Sequence, residues 1–252
     1  MIAGMRAKIR RRRHLRSLAL PRILREFADA NPRAFFVEIG SNDGLQHDHL
    51  RPFILDREWR GLMVEPVPYI FARLERNYAG IDRVTLVNAA IAAGADGELP
   101  FFHLRDASPE ERAALPDWYD GIGSFSREAV LGHAPHMPDI AERIVEARVP
   151  AYTFDSLLER HGAPDPDLVV IDTEGYDAEI IASIDFDRHR PELLLYEHYH
   201  LDEPTRAGTR AAMSAAGYQT REEGFDTICA RSIDLSGFTP GVPGIAKYEE
   251  TA

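Results

Sequence analysis

Short apolar runs alternate with longer amphipathic stretches along most of the chain. Five of these runs are typical of strands buried on both faces of a sheet: AFFVEIG (34–40), GLMVEP (61–66), VTLVNA (84–89), LVVID (168–172) and ELLLYE (192–197). Helix-like spacing of apolar residues predicts helices between them, in HLRPFILDREW, PYIFARLERNY and YDAEIIASI. The alternation predicts an α/β fold with a mostly parallel sheet that is covered by helices on both sides.

The order of elements changes between residues 92 and 150. Two additional strands are predicted on either side of an irregular stretch rich in glycine, proline and histidine: GELPFFHLR (97–105) and VEARVPAY (145–152). That stretch is too long for an ordinary loop, which indicates an insertion or a functional lid. Towards the end, YQTRE (218–222) and DTICAR (226–231) predict an antiparallel hairpin. We expect a basic arm and helix (1–30), a main domain (31–235) with an insertion around 92–150, and an irregular tail (236–252).

Composition narrows the classes of function. The 252 residues carry a formal net charge of −12, and residues 1–16 contain basic but no acidic side chains, so the body of the protein is strongly acidic. Such a body repels the nucleic-acid backbone, and we expect no nucleic-acid partner. We expect neither a secretory signal nor a membrane-spanning segment. Because the single cysteine, Cys229, excludes an internal disulfide and a cysteine-rich zinc site, we expect a cytoplasmic enzyme or binding protein.

Polar and acidic residues follow each of the five main strands. In an open parallel sheet, ligands bind beyond the carboxyl ends of the strands, near the point where the strand order reverses. Taken singly, each of these residues could cap a helix or serve a turn. Their joint occurrence at five strand ends favours a binding site, made of Glu38 with the Gly40–Gly44 turn, Glu65, Asn88, Asp172 with Glu174, and Glu197 with His198.

The turn FVEIGSNDG (36–44) indicates which ligand fits. Its GxxxG spacing lacks the third glycine of the dinucleotide fingerprint, and nearby carboxylates would repel a diphosphate. Glu65, 25 positions after Gly40, suits a bidentate contact with ribose hydroxyls. The remaining carboxylates, Glu38 and Asp43, favour an ammonium or a sulfonium group. S-adenosylmethionine offers a ribose and both cations without a phosphate.

Several of these segments together resemble the FkbM-type methyltransferases: FVEIGSNDG, VEPVP, NAAI, GIGSFS, TFDSLL, DTEGYDAEII and the strand ending in YEH. The resemblance covers about residues 35–231, and DTEGYD after an apolar strand is its most specific part. It implies the Rossmann-like class I methyltransferase fold, with a seven-stranded, mostly parallel sheet and a C-terminal antiparallel hairpin.

The resemblance also implies a set of cofactor-binding residues. Around the methionine part of S-adenosylmethionine it places the turn residues Glu38, Gly40, Ser41, Asn42 and Asp43. It implies that Glu65 holds the ribose, that Asn88 and Ala89 lie beside the adenine, and that Pro66 and Asp172 complete the cofactor site. The implied activity is O-methylation of a small hydroxylated molecule such as a sugar or a natural product.

An alcohol is a poor nucleophile, so its methylation requires a general base or a metal ion. In one scheme His198 or His200 accepts the proton, with Glu174 or Glu197 orienting the ring. In the other, Asp172, Glu197 and His198 hold Mg²⁺, which binds the acceptor directly. For His133 and His136 of the irregular stretch, surface and lid roles stay open.

Two other classes of function remain possible on the same kind of sheet. One is an NAD-dependent oxidoreductase or sugar-modifying enzyme, against which the missing glycine and the acidic turn count. The other is a non-catalytic scaffold that keeps a cofactor pocket, although a purely structural site has no need of so many charged groups. The acceptor and the oligomeric state stay open.

Overall fold

The computed structural model of the protein describes residues 19–46, 48–94 and 96–238. Its strands are β1 (Phe35–Ile39), β2 (Arg60–Val64), β3 (Val84–Val87), β4 (Ala90–Ile91), β5 (Gly97–Leu104), β6 (Gly123–Ser124), β7 (Ile144–Tyr152), β8 (Leu168–Ile171), β9 (Leu193–Glu197), β10 (Gln219–Glu223) and β11 (Asp226–Ala230). Its α-helices are α1 (Leu20–Ala30), α2 (Arg51–Asp56), α3 (Pro68–Asn77), α4 (Pro109–Arg112), α5 (Arg127–Leu131), α6 (Ile140–Arg143), α7 (Phe154–Arg160), α8 (Asp177–Ser183) and α9 (Glu203–Ala215). Single 3₁₀ turns cover Tyr119–Gly121 and Leu235–Gly237.

The main sheet contains seven strands in the order β10-β11-β9-β8-β1-β2-β3. Strands β1, β2, β3, β8 and β9 are parallel, whereas β11 runs antiparallel to both β9 and β10. The predicted fold class, a mostly parallel seven-stranded sheet with a C-terminal antiparallel hairpin, is confirmed. Strand order reverses between β1 and β8, which places the expected ligand-binding edge at the carboxyl ends of these two strands.

Alternating side chains of the central strands face two separate core layers. Phe36 and Met63 pack with Trp59 and the buried face of α1, whereas Val37 and Leu62 pack on the other side with α7 and α8. Successive residues of a strand point to opposite faces, so a strand covered on both sides must be apolar at nearly every position. This requirement explains the continuous apolar runs in the sequence.

The segment between β3 and α7 forms a second sheet. Its strand order is β4-β7-β5-β6, and β5 pairs antiparallel with β7 from Gly97 opposite Ala151 to Leu104 opposite Ile144. The two strands predicted at 97–105 and 145–152 therefore form and pair. The residues between them enclose a small core of their own, made of Leu104, Ala107, Tyr119, Ile122, Val130, Met137 and Ile140. We call residues 92–150 the insertion.

A buried carboxylate fixes the insertion to the main domain. Asp120 is 6% exposed and accepts hydrogen bonds from Arg73 Nη1 at 2.8 Å and from the Tyr69 hydroxyl at 3.2 Å, both on α3. Arg112 of the insertion forms a further ion pair with the same carboxylate. Because a buried charge is stable only when it is paired and hydrogen-bonded, this cluster holds the 3₁₀ turn at 119–121 in place.

The two ends of the chain are described only in part. The helix expected in residues 1–30 is present as α1, while the arginine-rich arm up to residue 18 and residues 239–252 of the tail lie outside the described residues. Over the described ranges, none of the helices combines the length and the apolar character needed to cross a bilayer. Cys229 is a free thiol in β11 with 0% exposure, and burial raises its pKa, as suits a packing residue.

A buried histidine joins three segments at the opposite edge of the sheet. His189 is 1% exposed; its Nδ1 lies 2.6 Å from Asp165 Oδ1 and its Nε2 lies 2.5 Å from Asp155 Oδ1. The ring thus links the segment before β9 to α7 and to the segment before β8.

We expect His189→Leu to lower the free energy of unfolding by about 2 kcal/mol, because the contacts of two ring nitrogens with Asp165 and Asp155 are lost at a buried site. Thermal unfolding would measure this as a fall in Tm of roughly 5 °C. The exposed His161 at the end of α7 gives a matched control, since His161→Leu removes a histidine without removing such bonds. Equal changes in the two variants would contradict the structural role of His189.

Candidate active site at the carboxyl ends of the strands

The turn after β1 is held tightly against its neighbours. The N–H groups of Gly40 and Ser41 both donate to the Val64 carbonyl, at 2.9 and 3.0 Å. Gly40 has φ +83°, and a Cβ atom there would overlap the backbone carbonyl of Asp172. At Gly44, with φ +68°, a Cβ would meet the side chains of Tyr78 and Leu74. The two glycines therefore allow neighbouring protein segments to approach the turn closely.

Two other residues of the turn have local partners. Ser41 donates its hydroxyl proton to the Glu38 carbonyl at 3.0 Å. Asp43 accepts from the N–H groups of Leu45 and Gln46, both at 2.9 Å, and so stabilises the turn that contains it. Both side chains thus shape the end of β1 whether or not they also contact a cofactor.

The carboxylate of Glu65 joins the ends of β1 and β2. It is 6% exposed and accepts from the N–H of Asn42 at 3.1 Å and from the N–H of Val67 at 2.8 Å. Burial raises the pKa of Glu65 to about 7, although the two N–H donors act in the opposite direction. Asn88, after β3, donates its amide to the carbonyls of Glu65 and Pro66 at 2.8 and 3.1 Å. The segments predicted for ribose and adenine are therefore adjacent, although the Ala89 side chain packs in the core with 0% exposure.

Glu38 carries a buried carboxylate that lacks a complete set of partners. The residue is 6% exposed, and its Oε2 has no hydrogen-bond partner in the part of the chain that the structure describes. Burial, followed by the charges of Asp48 and Asp172, raises the pKa of Glu38 well above its usual range. A buried carboxylate in this state is stabilised by a proton or by a cationic ligand.

Three carboxylates meet beyond β8 and β9. One oxygen each of Asp172, Glu174 and Glu197 lies within 4.8 Å of the others. Desolvation, followed by the charges of Asp172 and Glu174, raises the pKa of Glu197 to about 11. Desolvation, followed by the charges of Glu174 and Asp177, also raises the pKa of Asp172 well above its ordinary value. The group therefore favours an added positive charge.

Asp177, the last residue of DTEGYD, is hydrogen-bonded to the segments that carry these three carboxylates. It is fully buried, and burial raises its pKa to about 7. Its carboxylate accepts from the Thr173 hydroxyl at 2.9 Å and from the Glu197 N–H at 3.2 Å. It therefore fixes the turn after β8 against the end of β9. The sequence does not assign this role, although the position of Asp177 in the motif is a usable signal.

His200 and Glu174 form a pair at the same edge. His200 Nε2 lies 2.9 Å from Glu174 Oε2 and 3.7 Å from Glu197 Oε2. Partial burial lowers the pKa of His200, but the hydrogen bond and charge of Glu174 outweigh it and the net shift is upward. Glu174 has φ +54°, a left-handed conformation that is uncommon outside glycine and that concentrates at functional sites. The structure thus brings together two of the three predicted catalytic residues.

His198, the third predicted catalytic residue, lies elsewhere. It is 3% exposed, its N–H donates to the Phe225 carbonyl at 2.8 Å, and its Nδ1 lies 2.9 Å from Thr227 Oγ1 in the hairpin. Neighbouring residues of an extended chain point to opposite sides, so Glu197 and His198 do not face the same ligand. The metal set predicted as Asp172, Glu197 and His198 is therefore revised, because Glu174 takes the place of His198 in the cluster.

The insertion reaches over this edge. At Gly121, in the 3₁₀ turn held by Asp120, an added Cβ would lie 3.2 Å from Glu174 Oε1 and 3.8 Å from Asn42 Nδ2. Two further contacts join the insertion to the turns after β8 and β9: the rings of Phe125 and Tyr176 are 5.1 Å apart, and those of His133 and His200 are 5.4 Å apart. The insertion thus contributes directly to the candidate site.

The sheet order, its reversal between β1 and β8, and the reversed strand β11 define a Rossmann-like class I methyltransferase fold. A comparison with family models identifies the family. Residues 38–220 match the model described as the methyltransferase FkbM domain, which is well over half of the chain. The protein belongs to the FkbM methyltransferase family. No curated protein sequence matches the chain.

A comparison with solved structures gives matches at low sequence identity. Methyltransferase FkbM from Methylobacillus flagellatus KT is 15% identical, with 79% of this chain and 43% of that chain covered and a TM-score of 0.47. The chain thus spans less than half the length of that protein. A methyltransferase from Geobacter sulfurreducens is 13% identical, with 91% and 87% covered and a TM-score of 0.42. Aeropyrum pernix fibrillarin, solved with natively bound S-adenosyl-L-methionine, is 10% identical, with 79% and 67% covered and a TM-score of 0.40.

Proposed function

We propose that the protein is an S-adenosylmethionine-dependent O-methyltransferase that acts on a hydroxyl group of a small molecule of the sugar or natural-product type. The observation that carries this proposal is the Glu174–His200 pair, 2.9 Å apart, beside the point where the strand order reverses. A carboxylate that orients an imidazole is a recurrent device for accepting a proton. Membership of a methyltransferase family supports the transfer of a methyl group.

The residues present fit S-adenosylmethionine. Among the described residues, the buried Glu38 Oε2 has no hydrogen-bond partner, and both it and the Asp172 carboxylate favour the cationic groups of the amino-acid part of this cofactor. Each oxygen of Glu65 accepts one N–H and retains a second lone pair, which a ribose hydroxyl can use. In this proposal the remaining cofactor residues are Gly40, Ser41, Asn42 and Asp43 beside the methionine part, and Pro66, Asn88 and Ala89 beside the adenine.

The proton is handled by His200 and Glu174. When bound, S-adenosylmethionine supplies an electrophilic methyl group on a sulfonium sulfur. His200 donates Nε2–H to Glu174, which leaves the lone pair of Nδ1 to accept the proton of the acceptor hydroxyl. The Glu174 carboxylate then stabilises the imidazolium that forms. The insertion lies beside this pair, because an added Cβ at Gly121 would lie 3.2 Å from Glu174 Oε1 and the His133 ring lies 5.4 Å from the His200 ring.

A metal ion held by carboxylate oxygens offers a second way to lower the pKa of the acceptor hydroxyl. Asp172, Glu174 and Glu197 together have the carboxylate chemistry that suits Mg²⁺, which would polarise the acceptor hydroxyl there. Thorough chelation distinguishes the two schemes: activity that persists without metal supports the His200 scheme, and activity that requires added Mg²⁺ supports this one.

Titration of the purified protein with S-adenosylhomocysteine and with NAD tests the cofactor. We expect saturable binding of S-adenosylhomocysteine and none of NAD. The reverse result would indicate an oxidoreductase. Binding of S-adenosylhomocysteine without methylation of any compound in a library of hydroxylated small molecules would favour the scaffold hypothesis.

Once an acceptor is found, we expect His200→Gln to lower kcat by at least about 100-fold, the usual contribution of a general base. The affinity for S-adenosylhomocysteine should remain within about twofold, because the partners of His200, Glu174 and Glu197, follow β8 and β9 and not β1 or β2. His198→Gln is the matched comparison, since its Thr227 contact lies in the hairpin. A larger loss of kcat in the His198 variant, at unchanged Tm, would assign the proton to His198 instead.

A further inference from the structure

Three side chains from separate segments converge beside the acidic group. His133 comes from the insertion after α5, Glu174 follows β8 and His200 follows β9. One ligand atom of each lies within 4.8 Å of the other two. Two imidazoles and one carboxylate in this proximity form a set of donors that commonly binds divalent transition metals.

The two imidazole rings are already oriented for such a role. His133 Nδ1 lies 3.3 Å from the Val130 carbonyl, so in the tautomer with Nδ1–H donating, Nε2 is the ring nitrogen that can bind an ion. A hydrogen bond from the second ring nitrogen to a carbonyl is the usual support of a metal-binding histidine. Ring contacts with Trp118 at 5.7 Å and with His200 at 5.4 Å restrict His133, and Tyr199 packs on His200 at 5.0 Å.

The local charge favours a cation independently of this geometry. Glu197 Oε2 is buried and has no hydrogen-bond partner among the described residues, and it lies 3.7 Å from His200 Nε2. Within the same part of the chain, the ion pairs of Glu174 and Glu197 are with His200 alone. A single imidazole therefore faces two carboxylates, and a divalent ion would balance the excess negative charge.

We propose that His133, Glu174 and His200 form a binding site for a divalent transition metal such as Zn²⁺ or Co²⁺. Neutral imidazole nitrogen selects these ions over Mg²⁺, which prefers an all-oxygen set. In a tetrahedral site the ligand atoms lie roughly 3.3 Å apart. Side-chain rotations that shorten the distances between the three ligand atoms by up to about 1.5 Å would bring the set around an ion. The bound ion connects the insertion directly to the turns after β8 and β9.

The metal-bound form has a consequence that rests on the proposed function. The ion replaces the proton that His200 Nε2 shares with Glu174, and a neutral metal-bound imidazole carries its remaining proton on Nδ1. His200 then has no lone pair with which to accept a proton. The metal-bound enzyme is therefore a resting form, in which the ion holds the insertion against the turns after β8 and β9.

The test uses the tag-free full chain, stripped of metal with a chelator and titrated with Zn²⁺ and Co²⁺ by calorimetry and by visible absorption. We expect one ion per chain. His133→Phe, which keeps the ring but removes both nitrogens, should weaken binding at least about tenfold, because one of three ligands is lost. His136→Phe, on the exposed part of the same loop, should bind as the unaltered protein does. His133→Cys should retain Co²⁺ and add a sulfur-to-cobalt absorption band in the near ultraviolet.

Two results would overturn the proposal: no stoichiometric binding of either ion, or equal affinity in His133→Phe and in the unaltered protein. Equal affinity would place the ion at the carboxylates of Asp172, Glu174 and Glu197 instead. S-adenosylhomocysteine is titrated in parallel into each variant, with unchanged affinity expected. If it fails to bind any of them while the metal results hold, the proposed function fails and the metal site stands.

Discussion

Replacing Gly40 with alanine is expected to lower the free energy of unfolding by about 4 kcal/mol or more and to abolish binding of S-adenosylhomocysteine. The new Cβ would overlap the Asp172 carbonyl oxygen and lie 2.8 Å from its carbonyl carbon, in backbone that cannot move without separating β1 from β8. The left-handed φ of +83° adds strain of about 1–3 kcal/mol for any residue with a Cβ. Changes of this size are exceptional for one methyl group and require such a backbone overlap.

Differential scanning fluorimetry and calorimetric titration measure both parts of this result. A loss of 4 kcal/mol corresponds to a fall in Tm of roughly 10 °C for a chain of this length. Gly94→Ala is the matched control, because an added Cβ there meets no heavy atom within 4 Å and the residue lacks a left-handed φ. If Gly40→Ala keeps its Tm and its ligand affinity close to those of Gly94→Ala, the close contact between the two strand ends is wrong.

The periodic pattern was sufficient for the sheet because burial on both faces leaves little freedom in the sequence. Each run predicted as a central strand is a strand. Adjacent residues such as Phe36 and Val37 point to opposite faces of the sheet, so both must be apolar to fill the two core layers. The hairpin followed from two short runs separated by a glycine turn. In contrast, α9 was not predicted: its buried residues are Thr209 and Met213, and Met213 is its one large apolar side chain, so the segment lacks the apolar residues on which the other helices were predicted.

The candidate site was predictable only as far as strand ends determine it. Parallel strands deliver their carboxyl ends to one edge, so the proximity of Asp172, Glu174 and Glu197 follows from order alone. His198 follows Glu197 directly in an extended segment, and adjacent residues of such a segment point to opposite sides. The direction of the His198 side chain could therefore have been derived from the sequence. The contribution of the insertion could not be derived in this way. Asp120 and His133 reach the edge through contacts that are distant in sequence and carry no local signal.

The buried carboxylate of Glu65 should make stability fall as pH rises. Its pKa is about 7 in the folded protein and 4.5 ordinarily, because desolvation disfavours the charged form. The protonated carboxyl is therefore favoured by folding, and this contribution is complete below pH 4.5 and lost as pH rises through 7. The difference of about 2.5 pH units corresponds to about 3 kcal/mol. We expect the free energy of unfolding to fall by this amount between pH 5 and pH 8 on account of Glu65 alone.

Glu65→Gln isolates this contribution from those of the other buried carboxylates. The free energy of unfolding of both proteins is measured with urea at pH 5, 6, 7 and 8. As the pH rises, the value for the glutamine variant should increase relative to that of the unaltered protein by up to about 1.4 kcal/mol per pH unit. Glu75→Gln, on the exposed side of α3, provides the control. A pH-independent difference between Glu65→Gln and the unaltered protein would contradict the raised pKa.

The same variant also tests the role of Glu65 in the proposed function. If the ionised carboxylate accepts ribose hydroxyls, binding of S-adenosylhomocysteine should tighten as pH rises from 6 to 8, in the range where stability falls. Glu65→Gln should weaken that binding at least about tenfold and remove its pH dependence, because an amide offers one acceptor where the carboxylate offers two. As the pH rises, ionisation of Glu65 would then lower the stability of the protein and raise its affinity for the ligand. This combination is expected of a residue whose role is to bind the ligand and not to stabilise the fold.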